Sequence, residues 1–549
     1  MEGISMKLRV KKVLSFLLAS AVALSASACA GQGGAGSSGG AASEASGAAS
    51  QAQAASLPIV KDKLTLKFVC YNWGDAEYGN QMEVFQELEK RTNIHLDWQL
   101  LPADDNLTKL NLMMASGSLP DLVSYSAADS KATFDKFAAS GAIIPLDDLI
   151  DQYAPDIKAF FEKPPYDMPN LKAESRGIDG KYYSLPGTTE IGTGEIYSIR
   201  QDWLDKVKMP VPETTDDLYN VLKAFKDNNL SGDGNTIPFC PDNGLLDLTI
   251  LMNAFGAHES FYADSKSKAI SYGPVEANYE EGLKYCNKLY KAGLIDKDYI
   301  NANNTDQFRA KIAKNDVGMI YAWPLSGLGY GNTAVAKLDP SYKYVSMLPV
   351  KGPNGDRFKE RPQAAVTPRT VVTAGNKHPE ETIKYLNYLF TKDGENLMNY
   401  GVEGKDYTLD ASGNPKFTDA ILKDPNGADP ATARLNKGMQ VGLPFVATYA
   451  CESQTATKDI SDAWDMYIKG DVLFPNFPDL PLDETQIGDI SGKLTDLTTY
   501  VQENSNKFIM GTESFDNYDK FVSTVKSMGI DDILKTYNDA YEKYLTLDK

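Results

Sequence analysis

Histidine is nearly absent. The 549 residues contain three, His95, His258 and His378, and none falls in an HExxH or other metal-ligand spacing. Cysteine is scarce too. Besides Cys29 there are Cys70, Cys240, Cys286 and Cys451, far apart and without a CxxC pair. They read as buried structural thiols, with a disulfide left open. Basic residues are outnumbered, 55 Lys and Arg against 74 Asp and Glu, for a formal charge of −19. Phosphate recognition needs a basic surface, so nucleic acid is excluded as a partner. There is no P-loop and no internal repeat. No apolar run after residue 28 approaches the roughly 20 residues that a membrane-spanning helix requires.

What is present is ample core-forming material. Hydrophobic residues make up 42% of the chain, and 30 Tyr exceed 21 Phe. Tyrosine joins an apolar face to a polar tip, which suits recognition surfaces as well as cores. The length exceeds one ordinary core, so two large lobes are expected. The N-terminus reads as an export leader. Residues 6–12, MKLRVKK, are basic, residues 13–24 are apolar, and Ala26, Ser27 and Ala28 are small. Cys29 follows directly. The arrangement resembles a bacterial lipobox, whose cysteine becomes the lipidated first residue, although Ala26 stands where a large aliphatic residue is usual. The alternative is plain Sec cleavage after Ala28. Residues 30–56, almost all Gly, Ala, Ser and Gln, then form a tether of roughly 30 Å reach. GQGGAG and GSSGG within it match phosphate-loop and nucleophile-elbow patterns. No strand or helix flanks them, so neither carries a mechanism.

From Leu57 the patterning is that of a folded α/β chain. A strand is expected over Leu64–Trp73. A helix with Met82, Phe85 and Leu88 on one face follows, then a strand alternating Ile94, Leu96, Trp98 and Leu100. A helix with Leu107, Leu110 and Met114 and a short strand ending at Tyr125 complete a β-α-β-α-β order, which predicts a parallel sheet. Thr214 and Asp217 form a capping box for a helix carrying Leu218, Leu222 and Phe225. Val317–Trp323 is a further buried strand, Pro379–Phe390 an amphipathic helix, and the C-terminus is helical.

Four runs identify a family. MMASGSLPDLVSY (Met113–Tyr125), GAIIPLDDLID (Gly141–Asp151), IDGKYYSLP with YSIRQDWLDKV (Ile178–Pro186 and Tyr197–Val207), and YGVEGKDYTL (Tyr400–Leu409) stand in family order. Together they resemble the extracellular solute-binding lipoproteins of ABC importers, family 1, carbohydrate type. Ser198 departs from the Asn usual before the DWL run. The resemblance implies a two-lobed periplasmic-binding-protein-like (type II) α/β fold with an interlobe hinge, here with extra C-terminal helices. It implies an oligosaccharide or related solute bound in the interlobe cleft and passed to an ABC permease's transmembrane subunits. The expected product is a monomeric lipoprotein on the extracellular face of the membrane, without enzymatic activity and without a required cofactor. A secreted carbohydrate-active hydrolase and a peptide- or signal-binding lipoprotein are the alternatives. The expected segments are 1–28, leader; 29–56, lipidated Cys29 and tether; 57–189 and 367–440, lobe 1; 190–366 and 441–549, lobe 2.

Ligands of open α/β sheets bind beyond the carboxyl ends of the strands, and sugars call for aromatic platforms and charged or amide partners. Trp73, Asp75, Tyr125 and Trp323 stand at such ends. Glu190 and Arg200 flank the first expected crossing between lobes, and Glu403 lies in a Gly-flanked loop. These seven are the candidate ligand residues. Trp98 and Trp203 read as core, and Trp464 lies on a helix that borders either core or cleft. Asp227, Asn229, Ser231, Asp233 and Asn235 alternate as calcium-loop oxygens do. Thr236 replaces an expected carboxylate and the closing Glu is missing, so an Asx-rich turn is the stronger reading.

Overall fold

The strand Leu64–Tyr71 keeps Leu66, Phe68, Val69 and Cys70 buried and is paired on both sides in the first sheet. The computed structural model describes residues 56–549 apart from 72–76, 103–105, 126–130, 167, 169, 265, 303, 338, 362–368 and 476. The expected leader, Cys29 and nearly all of the tether lie outside the described residues. What is described falls within one compact unit, Ala52–Lys549. The first sheet runs in the order Ile94–Leu101, Leu64–Tyr71, Leu122–Tyr125, Arg369–Val372, Ser184–Pro186. Its first three strands are parallel, as the β-α-β-α-β order predicts, and Arg369–Val372 enters antiparallel. The helix Glu83–Thr92 buries Val84, Phe85 and Leu88 and stops at Asn93, which is left-handed with φ 61°. Trp98 meets the rings of Phe68 and Phe85 edge-on at 4.9 and 4.7 Å, as its core reading requires.

The second sheet runs Tyr344–Met347, Ile196–Arg200, Val317–Ala322, Ile237–Pro241. All six residues of Val317–Ala322 are buried, so this strand is central and apolar on both faces. The helix Thr215–Asp227 begins with the anticipated Thr214–Asp217 capping box and buries Leu218, Val221, Leu222 and Phe225. Trp203 is fully buried against Phe225. The C-terminal helices Glu484–Met510, Tyr518–Ser527 and Ile530–Leu547 pack on this second core. No described helix is long and apolar enough to cross a membrane. Cys70, Cys240, Cys286 and Cys451 are buried free thiols.

Two strand pairs tie the lobes at their junction. Residues 187–195 lead from one sheet to the other, and Thr188–Thr189 pairs with Val446–Ala447. Lys359–Arg361 pairs with Leu473–Pro475. The boundary expected between 366 and 367 lies outside the described residues. The last crossing comes later than the expected boundary at 440. Val441, Leu443, Val446 and Cys451 belong to the first core, whereas Ile460, Ala463 and Tyr467 pack with Val317 and Ile320 in a further cluster on the second sheet. Register then decides which edges face this junction. Tyr125 pairs with Arg369 and Arg369 with Pro186, so two strand carboxyl ends meet the start of an antiparallel strand there. In the second sheet Ala322 pairs with Ile196 and Tyr321 with Pro241, so the ends of Val317–Ala322 and Ile237–Pro241 lie beside the point where the chain arrives.

Candidate functional site

A cavity of about 620 Å³ opens at this junction, within the size range of small-molecule sites. Its walls come from both lobes. Thr189, Ile191 and Thr193 belong to the first crossing. Trp323 comes from the second sheet, Asp429 from a helix start beside the first core, and Trp464 from the helix Lys458–Lys469.

Trp323 follows a strand that is buried throughout, yet it is itself 52% exposed. The reason lies in the next residues. Pro324 opens two wide helical turns, Leu325–Gly329 and Gly331–Val335, which fold back on the strand. A Cβ at Gly327 would sit 2.7 Å from Ile320 Cδ1, and one at Gly331 would sit 2.6 Å from the Tyr344 ring. The glycines let the turns lie flat on the sheet, and the indole at their start is left facing the cavity. Trp464 is partly buried, meeting Tyr449 edge-on at 6.4 Å, while the Tyr449 hydroxyl donates to Asp465 at 2.7 Å.

The polar groups of the wall are largely engaged. Asp429 caps the helix Pro430–Asn436, accepting from the amides of Ala431 and Thr432 at 3.1 Å. Glu452 accepts from Arg434 and from Gln440, both at 2.8 Å. Burial pushes the Glu452 carboxyl up, but Arg434 and these hydrogen bonds outweigh it and hold the group below its ordinary value. Lys337 lines the cavity as an exposed ammonium.

Of the seven candidate residues, Trp323 lines the cavity. Glu190 stands next to lining residues, but its carboxylate accepts the Tyr449 amide at 2.6 Å and its own amide bonds to Ala447 at 3.0 Å, so it staples the paired crossing segments. Tyr125 ends its strand at the edge facing the junction. Trp73 and Asp75 lie outside the described residues.

Arg200 must be reassigned. It is fully buried, forks onto Asp202 with two bonds of 2.7 Å, donates to Asn315 at 2.7 Å and stacks 3.7 Å from the Tyr342 ring centre. Its strand is antiparallel to Val317–Ala322, so Ile196 faces the junction and Arg200 sits at the opposite end. Nearness in sequence to the crossing misplaced it. Glu403 is likewise a solvent-facing turn residue outside the cavity lining. The structural carboxylate of that turn is Asp406, fully buried, which accepts from the Val402 amide at 2.9 Å and from Lys437 at 2.6 Å. Lys337, Asp429 and Trp464 reach the cavity through the wide turns and the last crossing, features that local sequence pattern does not carry.

The side chains of the alternating-oxygen loop are engaged with one another and with Lys223. Asp227 is paired with Lys223. Asn229 Oδ1 accepts the Gly234 amide at 2.9 Å and the hydroxyls of Ser231 and Thr236 at 3.3 Å. Asp233 accepts from the backbone and side chain of Asn235 at 2.9 and 2.8 Å and from Ser231 at 2.8 Å; those bonds hold its carboxyl down to about 2. The loop closes on itself with its own donors. Among the described residues no group of three His, Cys, Asp or Glu is placed to hold a metal.

Comparison with known proteins agrees with this architecture. Residues 76–396 match the model of the bacterial extracellular solute-binding protein family. The fructooligosaccharide ABC transporter substrate-binding protein FusA of Streptococcus pneumoniae is 27% identical over 88% of this chain and 91% of its own. The polygalacturonan/rhamnogalacturonan-binding protein YtcQ of Bacillus subtilis is 25% identical over 83% of this chain and 88% of its own. Among solved structures, an alginate-binding protein without calcium ion superposes with a TM-score of 0.71 at 29% identity, covering 88% of this chain and 99% of that one. FusA with kestose gives 0.69 at 25% identity with the same coverage. These relatives are binding proteins and not enzymes. By its fold and its family match, this chain belongs to the bacterial extracellular solute-binding proteins.

Proposed function

We propose that the chain is a membrane-tethered receptor that captures an oligosaccharide in the junction cavity and presents it, chemically unchanged, to an ABC import permease. The observation that carries this reading is the half-exposed indole of Trp323, held by a fully buried strand within a cavity that both lobes line. A sugar ring has an apolar C–H face that covers such an indole and a rim of hydroxyls for the threonines around it. Trp464 supplies a second aromatic wall. Trp73 and Asp75, which follow Leu64–Tyr71 in the chain, and Tyr125 at its strand end are further ligand residues in this reading.

Because the walls belong to two lobes, a solute gains its full set of contacts only when the lobes approach. It therefore favours the closed form, and the closed form is what the permease recognises. Glu190 and the paired crossing segments act as the hinge. The saccharides for which FusA and YtcQ are named point to the same solute class. Cys29 carries the lipid, residues 30–56 are the tether, and the receptor works as a monomer.

A melting-temperature screen against oligosaccharides and peptides tests the reading. At a concentration 100 times Kd a true ligand stabilises the fold by about 2.7 kcal/mol. Stabilisation by peptides alone, or release of shorter sugars on incubation, overturns it. Cys29→Ala should move the protein from the membrane to the soluble fraction, and unchanged association removes the lipid anchor.

A further inference from the structure

We infer that this cavity selects uncharged oligosaccharides and discriminates against uronate oligomers. The inference rests on the receptor reading above and names its substrate class. It separates two kinds of relative: one is named for fructooligosaccharides, which are neutral, and another for polygalacturonan, which carries a carboxylate on each galacturonate unit.

Binding a carboxylate away from water takes charge-assisted donors, above all the planar fork of arginine. Two arginines near this junction are committed elsewhere. Arg434 is buried with its fork on Glu452 at 2.8 Å and Thr455 at 3.2 Å. Arg369 is buried on Glu174 at 2.7 Å and Asp479 at 3.2 Å. Lys359 is buried too, its ammonium donating to the carbonyls of Thr193 at 2.6 Å and Glu360 at 3.0 Å. Among the described residues that line the cavity, Lys337 is the one cation, and Asp429 and Glu452 share the wall with it.

A further carboxylate stands near this edge: Asp242 follows the strand Ile237–Pro241, where burial and Glu195 oppose its charged form and Arg309 favours it. A ligand of repeated carboxylates would enter a negative field and lose its hydration without recovering it from paired cations. A neutral sugar needs none of this. It needs apolar faces, which Trp323 and Trp464 provide, and hydroxyl partners, for which Thr189 and the exposed Thr457 line the cavity.

The test is titration of the full-length protein with neutral trisaccharides, kestose and maltotriose, and with trigalacturonate, each at low and high ionic strength. The expected result is binding of at least one neutral trisaccharide with an affinity indifferent to salt. Trigalacturonate should bind about 100-fold more weakly or not at all, and the gap should narrow as salt screens the repulsion. Trigalacturonate binding as tightly as the better neutral ligand overturns the inference and leaves the receptor reading intact. Loss of that binding in Arg361→Gln would then name the overlooked cation, since Arg361 ends the strand that precedes 362–368. Binding of neither class, across a wider neutral panel, overturns the receptor reading and this inference with it.

Discussion

Replacing Trp323 with alanine removes a ring that is half in solvent and leaves the strand behind it intact. A tryptophan side chain presents about 250 Å² at most. With 52% of the residue exposed, roughly 100 Å² is open to a ligand. A sugar face covering most of that area contributes about 1.5–2.5 kcal/mol at ~25 cal/mol per Å². Trp323→Ala should therefore weaken oligosaccharide binding about ten- to sixty-fold. Calorimetric titration with a ligand found in the melting screen measures it. The fold should also lose up to about 3 kcal/mol, because the other half of the indole is buried against the protein, so affinity is measured on the folded variant. Trp203→Ala is the contrasting variant. Trp203 is fully buried against Phe225, and its loss should cost about 3–5 kcal/mol of stability. An affinity loss below about threefold in folded Trp323→Ala would refute the platform role.

Three further outcomes follow from particular groups. Burial raises the Glu174 carboxyl from 4.5 to about 7 despite Arg369 beside it. Because the folded value is the higher one, its stabilising contribution is complete below pH 4.5 and is lost as pH rises through about 7. Melting temperatures across that window should show a downward component that Glu174→Gln removes, and an identical pH profile in the variant counts against it. Arg200→Met strands the buried pairing of Asp202 and Asn315 and should destabilise the protein by about 3–5 kcal/mol. Ligand affinity measured on the folded fraction should stay the same, and a selective loss of affinity would restore Arg200 to the site. Calcium titration should leave the melting temperature unchanged, because Asp227 is held by Lys223 and Asn229 and Asp233 by donors within their own loop. A calcium-dependent rise would show that the ion displaces those bonds.

Local pattern and tertiary arrangement contributed differently here. The alternation of Ile94, Leu96 and Trp98 predicts a strand with one face inward, because side-chain direction repeats every two residues. The Thr214–Asp217 pair predicts a helix start because two orphan amides need acceptors. Trp323 was a candidate from its place after an apolar strand and before Pro324. These are short-range rules, and residues close in sequence satisfy them. The four family runs add order along the chain, and with it the two-lobed fold.

Arg200, Glu403 and Trp464 required coordinates. An antiparallel neighbour sends Ile196 to the junction and Arg200 to the far side, and no local signal distinguishes that strand from a parallel one. Glu403 and Asp406 sit three residues apart in one turn, yet one faces water and the other is fully buried because Lys437 reaches it from 31 residues away. Trp464 meets the cavity only because the chain remains in the first core through Cys451 before it returns to the second sheet. By itself, then, the sequence determined strands, helices, caps, the acidic balance and family membership, all set by spacing and composition. Tertiary structure decided which strand ends share an edge, which charges are already paired and which indole is left uncovered. Those depend on contacts between segments hundreds of residues apart, where register and burial select the partner.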